Sequence, residues 1–122
     1  MANYIVWLDH QEAHIYNLAV GGMLKEHLKK HTHEHSNSHA DARGDQENSR
    51  FFHEIAAKLN NAEEVLLIGP GLGKSHFKTH LETHHHAQLA KKIVGVETVD
   101  HPTEKQVIQV GKKFFKAYDL FH

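Results

Sequence analysis

A continuous apolar run followed by a glycine-rich turn is the feature that most constrains the fold of this chain. The run covers Val65 to Ile68, and the turn covers Gly69 to Gly73. A helical pattern then begins at Lys74 or Ser75. A run without polar alternation is typical of a strand that is covered on both faces, so we expect helices on both sides of its sheet. Ligand sites of such sheets open at the carboxyl ends of the strands, which makes the turn near Gly69 a candidate site.

The other predicted elements surround this central strand. Apolar and alternating segments predict three antiparallel strands before it and one strand after it: Tyr4 to Leu8, Ala13 to Leu18, Met23 to Lys30 and Ile93 to Val99. Helical patterns begin at Ser49, near Ser75 and after the N-cap residue Thr103, with a short helical turn at Gln88 to Lys92. We therefore predict an α/β fold, a single-domain mixed sheet with the element order β-β-β-α-β-α-β-α and helices on its faces.

A histidine-rich segment separates the third strand from the first helix. Residues His31 to Asn48 contain almost no apolar side chain and show no periodicity. Segments of this composition do not bury enough apolar surface to pack, and long loops inside compact domains are often functional. We predict an exposed loop over about residues 31–48, within one domain that covers residues 1–122.

Composition limits the classes of function. The chain has no cysteine, which excludes disulfides and thiolate chemistry, and its formal net charge of −1 argues against nucleic-acid binding by bulk charge alone. The N-terminal region reaches Asp9 and His10 too early for a signal peptide, and no apolar run approaches the length of a membrane span. We expect a cytoplasmic protein that has no cofactor and does not bind membranes.

The glycine turn has the composition of a phosphate-binding loop but not the required spacing. A Walker A motif needs a glycine where Ile68 stands, and the dinucleotide-binding pattern needs one where Lys74 stands. A tight strand-to-helix turn is therefore favoured over a nucleotide site. The N-terminus of the following helix could still hold an RNA phosphate, with Lys74 or Lys78 assisting.

Histidine is strongly over-represented, with fifteen residues. His76, His80 and His84 are spaced at i, i+4 and i+8 and so share one helix face, while His31, His33 and His35 alternate in the predicted loop. Either set could bind a transition metal. The alternative is a polar surface that gains charge when the pH falls.

The segments VLLIGPGLGKSHFKTHL and HHHAQLAKKIVGVETVD, followed by a closing helix, suggest a family. They resemble the central domain of archaeal and eukaryotic class-one peptide release factors, of Pelota, and of small bacterial relatives described as translational machinery components. The resemblance extends over the whole chain, because the three opening strands also agree in order. It implies a ribonuclease H-like, release-factor central-domain fold.

Release factors carry a Gly-Gly-Gln motif on the loop after their third strand, where it helps water attack the peptidyl-tRNA ester. This chain has Arg43-Gly44-Asp45-Gln46 at the corresponding place, with Asp45 in the position of the second glycine. Aspartate narrows the backbone freedom of that position and adds negative charge near phosphates. The resemblance therefore implies association with ribosomes, idle or stalled, more strongly than it implies catalysis.

The function we predict is a ribosome- or RNA-associated binding protein of translation. The phosphate-binding candidates are Lys25, Lys29, Lys30, Arg43, Gly44, Gln46, Gly71, Gly73, Lys74 and Lys78. The alternatives are a peptidyl-tRNA hydrolase acting through Gln46 and a histidine-based metal-binding protein. A homodimer could form through the edge of the opening hairpin.

A nuclease of the ribonuclease H type is a further alternative, because that fold needs clustered carboxylates to hold metal ions. Asp9 ends the first strand, but its simpler role is that of a turn residue. Glu12, Glu64 and Asp100 give no clear sign of convergence with it.

Overall fold

A computed structural model of the chain describes residues 3–18, 24–30, 40–84 and 86–121, with residues 24 and 40–47 described by their backbone alone. Five strands form one mixed sheet: β1 (Asn3–Leu8), β2 (Glu12–Asn17), β3 (Leu24–Lys29), β4 (Glu64–Gly69) and β5 (Ile93–Thr98). Their order across the sheet is β3-β2-β1-β4-β5. β2 is antiparallel to β1 and β3, whereas β4 is parallel to β1 and β5, so the predicted mixed sheet is confirmed.

The helices are α1 (Ala40–Lys58), α2 (Gly73–Thr83), α3 (Ala87–Ala90) and α4 (Glu104–Phe121). α3 is the short helical turn predicted near Gln88, so the predicted element order is also confirmed. Thr103 is the predicted N-cap of α4: its Oγ1 accepts a hydrogen bond from Gln106 N, and Gln106 Oε1 accepts one from Thr103 N. This reciprocal pair satisfies two amides at the start of α4. Every helix among the described residues is too short or too polar to span a bilayer.

Two apolar clusters hold helices against opposite faces of the sheet. One face packs against α1 and α2 through Val6, Ile15, Leu67, Phe51, Ile55, Leu59, Phe77 and Leu81. The other packs against α4 through Ile5, Trp7, Leu66, Ile68, Val107 and Phe115. β4 contributes buried residues to both clusters, which explains its continuous apolar run.

The predicted loop at 31–48 is wrong for its second half. Residues 40–48 continue α1 toward the N-terminus, whereas the first half, 31–39, lies outside the described residues. Helices were predicted from an apolar stripe, and residues 40–48 lack one. Alanine, arginine, glutamine and glutamate are nevertheless good helix formers, and they extend a helix whose later turns are anchored in the core from Phe51 onward.

The strand directions create a common edge. Four strands, β1, β3, β4 and β5, run in the same direction. β1 and β3 are both antiparallel to β2, and β4 is parallel to both β1 and β5. Their carboxyl ends therefore lie along one side of the sheet. We call this side the carboxyl edge; it carries Asp9 after β1, Lys30 after β3, the glycine turn after β4 and Val99 after β5.

The glycine turn is the tightest point of this edge. Gly69 has φ 148°, and a Cβ atom at this position would lie 2.0 Å from the carbonyl oxygen of Leu8. Gly71 has φ 63°, but a Cβ atom there would meet no heavy atom within 4 Å. Only Gly69 is therefore required by both backbone conformation and space.

We expect Gly69→Ala to destabilise the fold by more than about 3 kcal/mol, because the backbone of β1 must move to admit the methyl group. Gly71→Ala should cost about 1 kcal/mol, the ordinary penalty of a left-handed alanine. Urea unfolding followed by circular dichroism measures both values. Equal losses for the two variants would contradict the close approach of Gly69 to Leu8.

Candidate functional site

Lys74 has a structural role in the glycine turn. Its side chain is only 3% exposed, and its Nζ donates hydrogen bonds to the carbonyl oxygens of Gly69 at 2.7 Å and Gly71 at 2.8 Å. Burial lowers the pKa of this ammonium group. The prediction that Lys74 contacts phosphate is therefore corrected, because its ammonium is directed at backbone carbonyls inside the turn.

Gly71 and Gly73, the two glycines predicted to bind phosphate, border a surface cavity of about 330 Å³ at the carboxyl edge. Its lining includes Asp9, His10, Gly71, Gly73, His76 and His101. Asp9 is the predicted turn residue, because its Oδ1 accepts hydrogen bonds from Gln11 N and Glu12 N, both at 2.8 Å.

The predicted lysines of β3 have different surroundings. Lys25 Nζ lies 3.1 Å from Glu104 Oε2, so its charge is largely offset. Lys29 is exposed and Lys30 is half-buried at the end of β3. Lys78 is half-buried on α2. Lys29 and Lys30 are the members of this set that stand on the carboxyl edge, as successive residues at the end of β3.

Arg43, Gly44 and Gln46 lie in the N-terminal half of α1 and not in a loop. Their side chains are outside the described residues, so their phosphate contacts, and catalysis by Gln46, stay predictions. The backbone itself is informative: an α-helix uses the amide groups of residues 44 to 46 for its own hydrogen bonds.

Sequence reasoning missed a row of lysines on α4. Lys105, Lys112, Lys113 and Lys116 are all exposed. The first, second and fourth are spaced at i, i+7 and i+11, which aligns them over about 16 Å of one helix face. The same spacing could have been read from the sequence once the helix had been predicted.

The histidine face predicted on α2 is only partly correct. The rings of His80 and His84 are stacked with centroids 4.1 Å apart, while His76 is exposed beside the cavity at the carboxyl edge. The predicted ligands His31, His33 and His35 lie outside the described residues. Two histidines that sequence reasoning missed complete the cluster around His80. His53 of α1 lies edge-on to the His80 ring at 4.7 Å, and His86 Nε2 lies 3.1 Å from His53 Nδ1.

His80 is the buried member of this cluster. It is 6% exposed and packs against Phe52 with ring centroids 5.2 Å apart. Its Nε2 has no hydrogen-bond partner among the described residues. Burial lowers the pKa of the His80 imidazole to about 4, and charge on His84, His53 and His86 acts in the same direction. His80 is therefore a neutral core residue at neutral pH.

The nuclease alternative receives no support from the carboxylates. Glu64 begins β4, whereas Asp9 follows β1, and these parallel strands place the two residues at opposite edges of the sheet. Burial is the main cause that raises the pKa of Glu64, and the negative charge of Asp119 acts in the same direction. Glu64 therefore does not join Asp9 in a two-metal carboxylate cluster.

We expect the fold to lose stability as the pH falls from 6.5 toward 4, because the unfolded His80 takes up a proton that the folded residue resists. Between pH 7 and pH 5 this group alone should contribute a loss of about 2 kcal/mol. His80→Leu should remove that part of the pH dependence, and the exposed control His76→Leu should keep it. Urea unfolding at both pH values tests this; an unaltered pH dependence in His80→Leu would contradict it.

Comparison with known proteins adds the fold relationship. No family model and no curated protein matches the sequence. Among solved structures, Archaeoglobus fulgidus Pelota superposes with a TM-score of 0.61 at 20% identity over 92% of this chain. The archaeal translation termination factor aRF1 gives 0.60 at 16% identity over 98%. Dom34 of S. cerevisiae, a translation termination-like factor involved in RNA quality control pathways, gives 0.52 at 11% identity over 98%.

The chain spans 31% to 40% of the length of these three proteins. It therefore corresponds to one part of each of them. At these identities the likeness concerns the fold. The chain has the mixed α/β fold of the central domain of Pelota and the release factors, as its sequence predicts.

Proposed function

We propose that this chain is a cytoplasmic relative of Pelota and the release factors that binds ribosomes or RNA and does not release peptide. The observation that carries the proposal is the fold correspondence with Pelota and aRF1 over more than nine-tenths of the chain. Both the predicted resemblance and the independent structural comparison lead to this group. The proposed binding surface is the carboxyl edge of the sheet.

Two groups of predicted phosphate contacts share this edge. Lys29 ends β3 and Lys30 follows it, and Gly71 and Gly73 follow β4, three strand positions away. With strands about 4.8 Å apart, the two groups are separated by roughly 14 Å. Such a span suits contacts to several nucleotides of one RNA strand better than contacts to a single small ligand.

The first half of α1 extends toward the same edge. Phe52 is level with Phe77 and His80 of α2, and both helices run back over the sheet from its carboxyl edge. The twelve residues of α1 before Phe52 make about 18 Å of helix. We infer from this arrangement that the first turns of α1, which include Arg43, extend past the carboxyl edge.

The helical backbone at Gly44 to Gln46 supports binding over catalysis. A Gly-Gly-Gln loop depends on glycine backbone freedom, and the regular helix here engages the corresponding amides. Asp45 adds negative charge at the same place. We therefore favour a protein that occupies ribosomes over a peptidyl-tRNA hydrolase.

The lysine row of α4 gives the proposed protein a second cationic surface. Lys105, Lys112 and Lys116 lie on the outer side of α4, away from the apolar cluster that contains Val107 and Phe115. A protein with a net charge near zero needs such local clusters to attract a phosphate backbone. This row is a candidate for secondary contacts with ribosomal RNA.

We expect Lys29→Glu/Lys30→Glu to reduce the affinity for ribosomes, measured by co-sedimentation, at least about tenfold near 0.1 M salt. The decrease of log K with log salt should also become less steep, by about 1 to 2 in slope. The matched control is Lys91→Glu/Lys92→Glu, which makes the same charge change next to the start of β5 at the opposite edge. Equal losses for both pairs, or binding that ignores salt, would contradict a specific site at the carboxyl edge.

We expect no release of peptide from ribosome-bound peptidyl-tRNA above the background rate, with wild type and Gln46→Ala giving the same result. The reason is the helical backbone and the acidic residue next to Gln46. A release factor serves as the positive control. Release by the wild-type chain that disappears in Gln46→Ala would establish the hydrolase alternative.

A further inference from the structure

We propose that Glu12, His14 and His27 form a binding site for a divalent transition-metal ion, with zinc as the best fit to its donor atoms. The site lies on the face of the sheet that packs against α4, at strands β2 and β3. It is separate from both histidine sets that the sequence pattern suggests. It also does not depend on the proposed binding to ribosomes.

Strand geometry brings the three side chains together. Glu12 and His14 are two residues apart on β2, so they point to the same face of the sheet. His27 of β3 is directly opposite His14 in the antiparallel register. Side chains in directly opposite positions have their Cβ atoms about 5 Å apart, which is close enough for two imidazoles to share a ligand.

The donor atoms of the three side chains lie close together. His14 Nε2 lies 2.8 Å from Glu12 Oε1, and His27 Nε2 lies 3.2 Å from the same oxygen. The two rings are almost parallel, with an angle of 6° and a centroid separation of 4.2 Å. All three donor atoms lie within 4.8 Å of one another. Donors on a tetrahedral zinc ion with bonds of about 2.0 Å are about 3.3 Å apart, so the donor spacing is close to what the ion needs. The two parallel imidazole rings must tilt toward each other so that both Nε2 lone pairs point at one ion.

The chemistry of the donors favours zinc and its neighbours over magnesium or calcium. Two imidazole nitrogens and one carboxylate oxygen suit Zn²⁺, Co²⁺, Ni²⁺ or Cu²⁺, whereas Mg²⁺ and Ca²⁺ prefer oxygen ligands. Three protein ligands leave at least one coordination position for water or another ligand.

The surroundings leave the site accessible. The three side chains are between 30% and 38% exposed. A cavity of about 260 Å³ borders the site and is lined by Trp7, Glu12, His14, Tyr16, His101 and Glu104, among others. Lys25, which also lines this cavity, is paired with Glu104 at 3.1 Å, and that pairing reduces its repulsion of a metal ion.

Trp7 provides a local reporter of occupancy. It is the single tryptophan of the chain, and its ring lies edge-on to His14 with centroids 5.7 Å apart. Cu²⁺ bound to a neighbouring imidazole quenches indole fluorescence at short range. Copper at His14 should therefore quench Trp7, and Zn²⁺ in large excess should prevent the quenching by occupying the same ligands.

The experiment titrates Cu²⁺ into the full chain, purified without an affinity tag or metal resin. The buffer contains glycine, which binds Cu²⁺ and so keeps it from weak sites on the protein. We expect quenching that saturates as free Cu²⁺ rises and that a large excess of Zn²⁺ reverses, the excess being needed because Cu²⁺ binds such donors more tightly. His14→Gln/His27→Gln should abolish it, and Glu12→Gln should raise the midpoint at least tenfold, since loss of even an outer-shell partner costs 10- to 100-fold. The control His53→Gln/His86→Gln, which changes two histidines on the opposite face, should retain the wild-type midpoint.

Circular dichroism verifies that each variant is folded, and Co²⁺ supplies a second readout, because tetrahedral Co²⁺ gives strong visible absorption bands. Quenching that does not saturate, or that is the same in Glu12→Gln and His14→Gln/His27→Gln as in wild type, would overturn the proposed site and indicate adventitious binding to other histidines. Because the assay contains no ribosomes, its failure would leave the proposed function untouched.

Discussion

The close passage of Gly69 against β1 is the constraint on which the rest of the structure depends. The absence of a side chain lets the end of β4 pass the Leu8 carbonyl, and the Lys74 ammonium then holds the turn through the Gly69 and Gly71 carbonyls. These contacts set where α2 begins over the sheet. Because the Lys74 ammonium donates to these two carbonyls, it does not take the role that the lysine of a phosphate-binding loop has. A turn that looks like a ligand site in sequence is thus mainly the device that joins strand to helix.

The unequal covering of the sheet decides where chemistry is possible. α1 and α2 cover one face of the sheet. On that face, Glu26 of β3 forms an ion pair with Lys58 of α1 at 3.0 Å. α4 covers the other face mainly over β1 and β4, and it leaves polar residues of β2 and β3 accessible beside it. The His80 cluster belongs to the closed side, where burial keeps the His80 imidazole neutral. Glu12, His14 and His27 belong to the open side, where an ion can enter.

The fold was largely predictable because its signals are local. The β4 run, the spacing of Phe51, Ile55 and Leu59, and the Thr103 cap each reflect burial or backbone satisfaction within a few residues. The error at α1 has a specific cause: residues 40–48 carry no apolar stripe, so periodicity could not detect a helix that continues from an anchored segment. Phosphate contacts were harder to predict, because the exposure of a lysine side chain depends on the tertiary structure. Lys29 is exposed, whereas Lys74 is buried.

The sequence by itself determined the order of the elements, the two-sided burial of the central strand and the absence of cysteine chemistry, because composition and periodicity are properties of neighbouring residues. Only the tertiary structure decided which histidines meet. His53 and His86 join His80 through helix packing, and His14 meets His27 through the register of β2 and β3. Such pairs are distant in sequence, and no local spacing encodes them. The physical reason is that ligand geometry depends on side chains that long-range packing brings together.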